Sequence, residues 1–330
     1  MRPVLLFTLL LLLTVASLLF SLASGSIAIS WQELLAVISG THSGNELSEQ
    51  VLMELRWPRT LAAFTTGALL ALAGGLMQVL LRNPLADPYV LGISGGAATG
   101  ALLAMLSGLG SFWLHGSAFG GALFSMLLVF GLSHGAGSWT TSRLLLTGIV
   151  IAAGWGAVIG LLLAISPEQG LRGMLFWLMG DLSNAPMPLG SLPVLLVGLL
   201  AAVGIGRSLN ILAHGEQTAG ALGISVKPLR SFIYLLASLL TATAVTLAGS
   251  VGFVGLVVPH MLRLLGMRDH RLLLPAAALL GGSLLVCADT LARTLLAPRQ
   301  LPVGILTALI GVPVFLILLH HSRSLHGEER

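Results

Sequence analysis

The sequence predicts an all-α, polytopic membrane protein of about ten transmembrane helices with both termini cytoplasmic. Three observations predict it. Charged residues make up 8% of the 330 residues. A soluble domain carries about 25%, so a soluble fold of this size could not cover its surface. Long stretches lack Asp, Glu, Lys and Arg altogether: 3–32, 88–142, 144–167, 182–206, 231–262, 272–288 and 300–322. A span takes roughly 20 mainly apolar residues, and these runs supply them without the short alternating strands of an outer-membrane barrel. Finally, the basic residues stand singly at the ends of apolar runs, where membrane proteins carry them.

The expected spans are residues 3–23, 60–81, 89–107, 117–137, 144–165, 188–205, 231–248, 251–265, 272–291 and 303–320. The eighth is short and is expected to be broken by Pro259. The 55 charge-free residues 88–142 hold two spans, with a Gly/Ser/His break near His115. The first span begins like a signal peptide, with Arg2, a leucine run and a weak cleavage site at Leu22-Ala23-Ser24. Its apolar core exceeds a usual signal core, so a retained span is expected.

Ten crossings from an inside N-terminus put eleven basic residues on the cytoplasmic side: Arg2, Arg82, Arg143, Arg207, Lys227, Arg230, Arg263, Arg268, Arg271, Arg323 and Arg330. Five fall outside: Arg56, Arg59, Arg172, Arg293 and Arg299. That asymmetry obeys the positive-inside rule. Residues 1–330 form one transmembrane domain with three longer connections. Residues 24–59 and 166–188 lie outside, the second with a short re-entrant or interfacial helix at 171–179. Residues 207–230 lie inside, with helical stretches at 209–214 and 216–222.

Several chemistries are excluded. Cys287 is the single cysteine, so there is no disulfide framework and no thiolate metal site. Lys227 is the single lysine and lies in Ser-Val-Lys-Pro, so no P-loop exists. If ATP drives this protein, another subunit binds it. The isoelectric point near 10.2 does not point to nucleic acid, because the cations are scattered. The nine histidines show no His-x₃-His spacing within one element. Neither a resident metal nor a cofactor is expected.

Some residues remain as candidates. Gly92, Gly96 and Gly100, and likewise Gly156 and Gly160, stand at the spacing that lets helix backbones approach in lipid; packing within one subunit and a subunit interface both use it. Gly92-Ile93-Ser94-Gly95 matches a short intramembrane serine protease motif, which would need His260 as base. Asp289 could carry protons, as intramembrane carboxylates do, or form an ion pair with Arg293 at i+4. Met174, Met179, Met187, Phe176 and Trp177 could meet a large apolar solute or pack at the membrane interface.

Seven blocks in order carry a resemblance over residues 50–320. They are Arg56-Trp57-Pro58-Arg59-Thr60, running on to Met77-Gln78 and Asn83-Pro84-Leu85-Ala86-Asp87-Pro88; Leu91-Gly92-Ile93-Ser94-Gly95-Gly96-Ala97; and Thr141-Ser142-Arg143-Leu144-Leu145-Leu146. The rest are Phe176-Trp177-Leu178-Met179-Gly180, Gly252-Phe253-Val254-Gly255-Leu256-Val257-Val258-Pro259-His260, and Leu301-Pro302-Val303-Gly304. The chain resembles the permease subunits of type II ABC importers for iron–siderophore complexes, haem and vitamin B12.

The resemblance implies a homodimer in a bacterial inner membrane, two cytoplasmic ATPase subunits that do the hydrolysis, and a periplasmic substrate-binding protein. It implies a cytoplasmic gate at Asn83, Leu85, Thr141 and Ser142. It implies an ATPase-coupling segment at Gly215, Glu216, Ala219, Gly220 and Gly223. It implies docking of the binding protein by Arg56, Arg59 and Arg293. The sequence departs from the vitamin B12 permease pattern at Trp155 and at residues 180–184, in regions expected to face the path, which leaves the chelate open. The alternatives are an ion-gradient secondary transporter and an intramembrane protease.

Overall fold

The computed structural model describes residues 3–25, 27, 29–40, 45–133, 140–183 and 185–327. Arg2, His42, His134, Asn184, Arg330, the end of the fourth expected span from 134 and the side chains of 318–327 lie outside the described set.

Every regular element described is helical. The helices are α1 (Pro3–Ala23), α2 (Trp31–Ile38), α3 (Glu46–Gln50), α4 (Trp57–Leu80), α5 (Ile93–Leu106), α6 (Ser111–Ser133), α7 (Thr141–Ile165) and α8 (Glu168–Leu178). They continue with α9 (Ser191–Gly204), α10 (Gly206–Ala213), α11 (Glu216–Ala221), α12 (Val226–Ala248), α13 (Val254–Leu264), α14 (His270–Thr294) and α15 (Val303–Gly327). A π-helical stretch, Val51–Arg56, joins α3 to α4. Among the described residues six helices are long and apolar enough to cross a bilayer, counting α3 to α4 as one. The pair α9–α10, bent by 59°, adds one more, and α5, α13 and the start of α15 are shorter apolar helices. In order along the chain these are the ten expected spans.

α4 is the axis of the bundle. It packs against α14, α12, α13 and α9, and is buried almost throughout from Thr60 onward. Its Gly, Ala and Thr residues explain this. Lipid gives helices no hydrophobic reason to associate, so close backbone approach has to hold them. A Cβ added at Gly74 would stand 1.9 Å from the Gly255 carbonyl oxygen of α13. The same device joins α5 to α6, where a Cβ at Gly100 would stand 2.1 Å from the Ser117 carbonyl oxygen. Gly96 and Gly100 therefore serve packing within the chain, and Gly92, at φ +71°, turns the backbone into α5. Gly156 and Gly160 differ, because open space surrounds them on a largely exposed α7.

Pro259 does not break the eighth span. α13 runs through it, and starts only at Val254 because Phe253 takes a left-handed conformation, φ 70°. A proline inside a helix deprives the carbonyl four residues back of its donor. Here the Gln78 amide of α4 donates to the carbonyls of Gly255 at 3.4 Å and Leu256 at 3.1 Å. Gln78 in turn accepts from Arg263. The helix survives because a neighbour supplies the missing partner.

The connection 24–59 holds α2 and α3. Ser30 and Glu33 form a reciprocal capping box at the start of α2. The Glu33 carboxylate also accepts from Asn45 at 2.9 Å and Ser48 at 3.0 Å, tying α2 to α3. Hydrogen bonds from Ser30, then Asn45 and Ser48, hold its pKa down at about 2.

Candidate gate, coupling and outer sites

The two ends of the bundle carry different chemistry. At the end expected to be cytoplasmic, α4 stops at Leu80 and the chain turns at Arg82, a non-glycine residue with φ 48°. Such a conformation is strained and is held by surrounding contacts. Asn83 follows and accepts from the Leu85 N–H at 2.9 Å, closing a tight polar turn that leaves Leu85 exposed. Thr141 and Ser142 open α7, whose cap is the preceding residue: the Thr140 hydroxyl accepts from the Arg143 N–H at 3.3 Å.

The coupling segment lies beside them. Gly215 and Gly223 flank α11 with φ of 122° and 82°, values that favour glycine. Gly220 faces open space, whereas Ala219 is fully buried. Ala219 thus anchors α11 to the bundle. Glu216 accepts from Arg230 of α12 at 2.9 Å, and Arg82 stands 3.8 Å from the same carboxylate oxygen. Arg230 is only 5% exposed and also donates to the Thr141 hydroxyl at 3.4 Å. One carboxylate on α11 is therefore linked through two arginines to both expected gate segments. Sequence reasoning names Glu216 and Thr141 but misses Arg230 as their connector, since the pairing depends on α12 passing between them. Nearby, Asp269 is held well below the usual carboxylate range, first by Arg271 and then by Asn210.

At the other end the arginines expected to dock a partner gather around one cavity of about 370 Å³, which Arg56, Arg59 and Arg293 line with Glu54 and Gln300. All three are occupied within the chain. Arg56, 4% exposed, donates to the carbonyls of Leu22, Ala23 and Ile27. Arg59, 9% exposed, holds Asp289 by a bidentate pair at 2.8–3.1 Å and donates to Gln300 at 2.6 Å. Arg293 donates to Ser21, and its Nε stands 3.8 Å from Asp289. Asp289 is thus an ion-pair member, mainly with Arg59 rather than with Arg293. Buried charge demands such pairing.

A second outer cavity, about 680 Å³, is lined by Met105, His115, Arg172, Phe176, Trp177 and Asp181 among others. Of the expected methionine–aromatic cluster, Met174 is core, packed with Leu102 and Leu162. Phe176 and Trp177 line the cavity. Trp155 turns inward and donates to Ser125 at 2.9 Å, so its indole N–H is not presented to a path. Ser94 is the second residue of α5, and His260 sits on α13 with its ring 6.3 Å from that of Phe315; neither ring nitrogen of His260 has a hydrogen-bond partner among the described residues. Nor do three His, Cys, Asp or Glu side chains cluster there as a metal site would need.

The model of the FecCD transport family matches residues 11–321. The chain belongs to the FecCD transport family. It is a multi-pass transport permease, and neither a protease nor an ion-gradient carrier is needed to account for its residues. Among relatives, it is 42% identical to the hemin transport system permease protein HmuU of Yersinia pestis, over 98% of this chain and 97% of that one. It is 39% identical to the vitamin B12 import system permease protein BtuC of Citrobacter koseri, over 83% and 84%. Its fold is similar, with a TM-score of 0.86 and 33% identity over 97% of this chain and all of the other, to a protein described as a metal-chelate type ABC transporter in an inward-facing conformation. The FecCD membership agrees with the seven motif blocks and with the order of spans around α4.

Proposed function

We propose that this chain is the membrane permease of an ATP-driven importer that carries a bulky metal chelate from the periplasm to the cytoplasm across a bacterial inner membrane. The observation that carries the proposal is the near full-length likeness to a hemin permease. Two copies enclose the path. The exposed, glycine-bearing face of α7 supports this, because small residues permit close helix approach and, among the described residues, a Cβ added at Gly156 or Gly160 would meet nothing within 4 Å. Two ATPase subunits dock against α10 and α11, and hydrolysis belongs to them. Motion of α11 reaches the gate through Glu216, Arg230 and Thr141, while Arg82 carries it to Asn83 and Leu85. A binding protein delivers the chelate at the outer end. There the exposed Arg299 steers encounter, and the buried Arg56, Arg59 and Arg293 shape the surface that receives it.

The experiment is reconstitution in vesicles with the ATPase and binding protein. Labelled ferric siderophore, haem and cobalamin are offered with ATP, with ATP withheld, and with an uncoupler. Uptake that needs ATP and survives the uncoupler is expected; uptake abolished by the uncoupler alone would favour an ion-gradient carrier.

A further inference from the structure

The 680 Å³ outer cavity has a chemistry that the gate, the coupling segment and the dimer path do not use. Its volume falls in the range of small-molecule sites, about 300–1,000 Å³. One wall is α8, which brings Arg172, Phe176 and Trp177 to the cavity; the Arg172 guanidinium lies 5.4 Å from the centre of the Phe176 ring. The start of α6 brings His115 to the same lining. His115 is half-buried, and its Nδ1 stands 2.7 Å from the Ser111 carbonyl oxygen. A carbonyl accepts only, so Nδ1 carries the hydrogen and Nε2 keeps its lone pair. That is how proteins set a metal-ligating imidazole. Asp181 also lines the cavity, but both its oxygens accept from Ser183, through the N–H at 2.8 Å and the hydroxyl at 2.6 Å.

We propose that this cavity is a receiving station for a planar, carboxylate-bearing metalloporphyrin such as ferric haem, with His115 Nε2 as a transient axial ligand to the iron. Trp177 and Phe176 form the aromatic part of the lining against the ring, and Arg172, which lies over the Phe176 ring, pairs with a carboxylate. A ferric siderophore has its iron's coordination filled by oxygen donors and no flat ring to stack. Haem has open axial positions that imidazole fills. Among the described residues no group of three His, Cys, Asp or Glu side chains surrounds His115, and Met105 is the other lining side chain able to meet an axial position; so sparse a donor set suits a solute that must leave again. The inference rests on the importer reading and narrows its substrate.

The test uses the full chain in lipid nanodiscs, titrated with ferric haem and, separately, with metal-free protoporphyrin IX. Ferric haem is expected to bind with the absorbance shift of an imidazole-ligated iron. His115→Ala removes that shift and weakens haem binding by about tenfold or more, while leaving metal-free porphyrin unaffected. His115→Met restores an axial ligand and with it much of the affinity, with a changed spectrum. Arg172→Gln weakens both porphyrins. Unchanged haem affinity and spectrum in His115→Ala, or no haem binding by the unmodified chain, overturns the station. Uptake of a siderophore or cobalamin, but not haem, by the reconstituted complex also overturns it while the importer reading stands. Failure of ATP-dependent uptake for every chelate would instead remove the importer reading.

Discussion

Asp289 illustrates what a single buried charge demands. It is 1% exposed and sits among Arg59 and Arg293 near the outer end of α14. Removing one partner of a buried pair leaves the other charge uncompensated, at a cost of about 3–5 kcal/mol. Asp289→Ala should therefore lower the thermal unfolding temperature in detergent sharply. Arg59→Met combined with Asp289→Leu should recover a good part of the loss, since an apolar pair of similar volume needs no compensation. An unchanged unfolding temperature for Asp289→Ala would mean that this pair does not hold α4 to α14. The i+4 pairing with Arg293 is legible in the sequence, because one helix fixes it. The stronger pairing with Arg59 is not, because 230 positions separate the two residues.

Helices differ in how they use the same small residues. Gly100→Ala forces a Cβ against the Ser117 backbone at 2.1 Å, so α5 and α6 must part and the yield of folded chain should fall. A Cβ added at Gly156 meets no described atom outside its own helix turn within 4 Å, so Gly156→Leu starts into open space. It should fold normally yet shift the dimer toward monomer on size-exclusion chromatography, if the α7 face meets a second copy. A Gly156→Leu chain that stays dimeric would move the interface elsewhere. The outer helices make a different prediction. Hydrogen bonds from Ser30, Asn45 and Ser48 lower the Glu33 pKa from the ordinary glutamate range to about 2. A depressed carboxylate stabilises the fold above its unfolded pKa and ceases to as pH falls through the folded one. Hydrogen-exchange protection around Ser30, Glu33 and Ser48, taken relative to the intrinsic exchange rate at each pH, should stay high at neutral pH and fall as pH drops from about 4.5 toward 2. Glu33→Gln should raise exchange at neutral pH and flatten that profile. The capping box is a signal present in the linear sequence as Ser30-Trp31-Gln32-Glu33; its shortness beside a leucine-rich span hides it. Pro259 misleads in the other direction, because the donor that rescues α13 comes from α4.

In the proposed importer the molecule as a whole converts docking at both ends into movement of a path. Glu216→Gln and Arg230→Lys weaken the link from α11 to Thr141 while leaving the helices intact. Hydrogen bonds to charged groups contribute about 1.5–3 kcal/mol, so transport should drop about tenfold or more with ATP hydrolysis retained. Parallel losses of hydrolysis and transport would mean that the ATPase no longer docks, rather than that the relay is cut. At the outer end, exposed charge sets encounter rate over a Debye length of about 8 Å at physiological salt. Arg299→Glu should slow association of the binding protein and weaken its salt dependence. Arg293→Glu, placed against Asp289, should instead deplete the folded protein, and normal folding of that variant would mean that the Arg293 contacts do not hold the fold.

Class, number of spans and their order along the chain are local properties. Each span must satisfy its own backbone hydrogen bonds in lipid, so roughly 20 apolar residues announce themselves wherever they stand. The absence of a P-loop and the seven family blocks are equally local. Tertiary structure alone decides which arginine neutralises Asp289, which glycines are packing surfaces, and that Arg230 joins Glu216 to Thr141. It alone brings His115 to the cavity that Trp177 and Arg172 line. These depend on charges, carbonyls and missing side chains meeting across helices far apart in sequence, and an apolar run carries no record of which face of which neighbour it will meet.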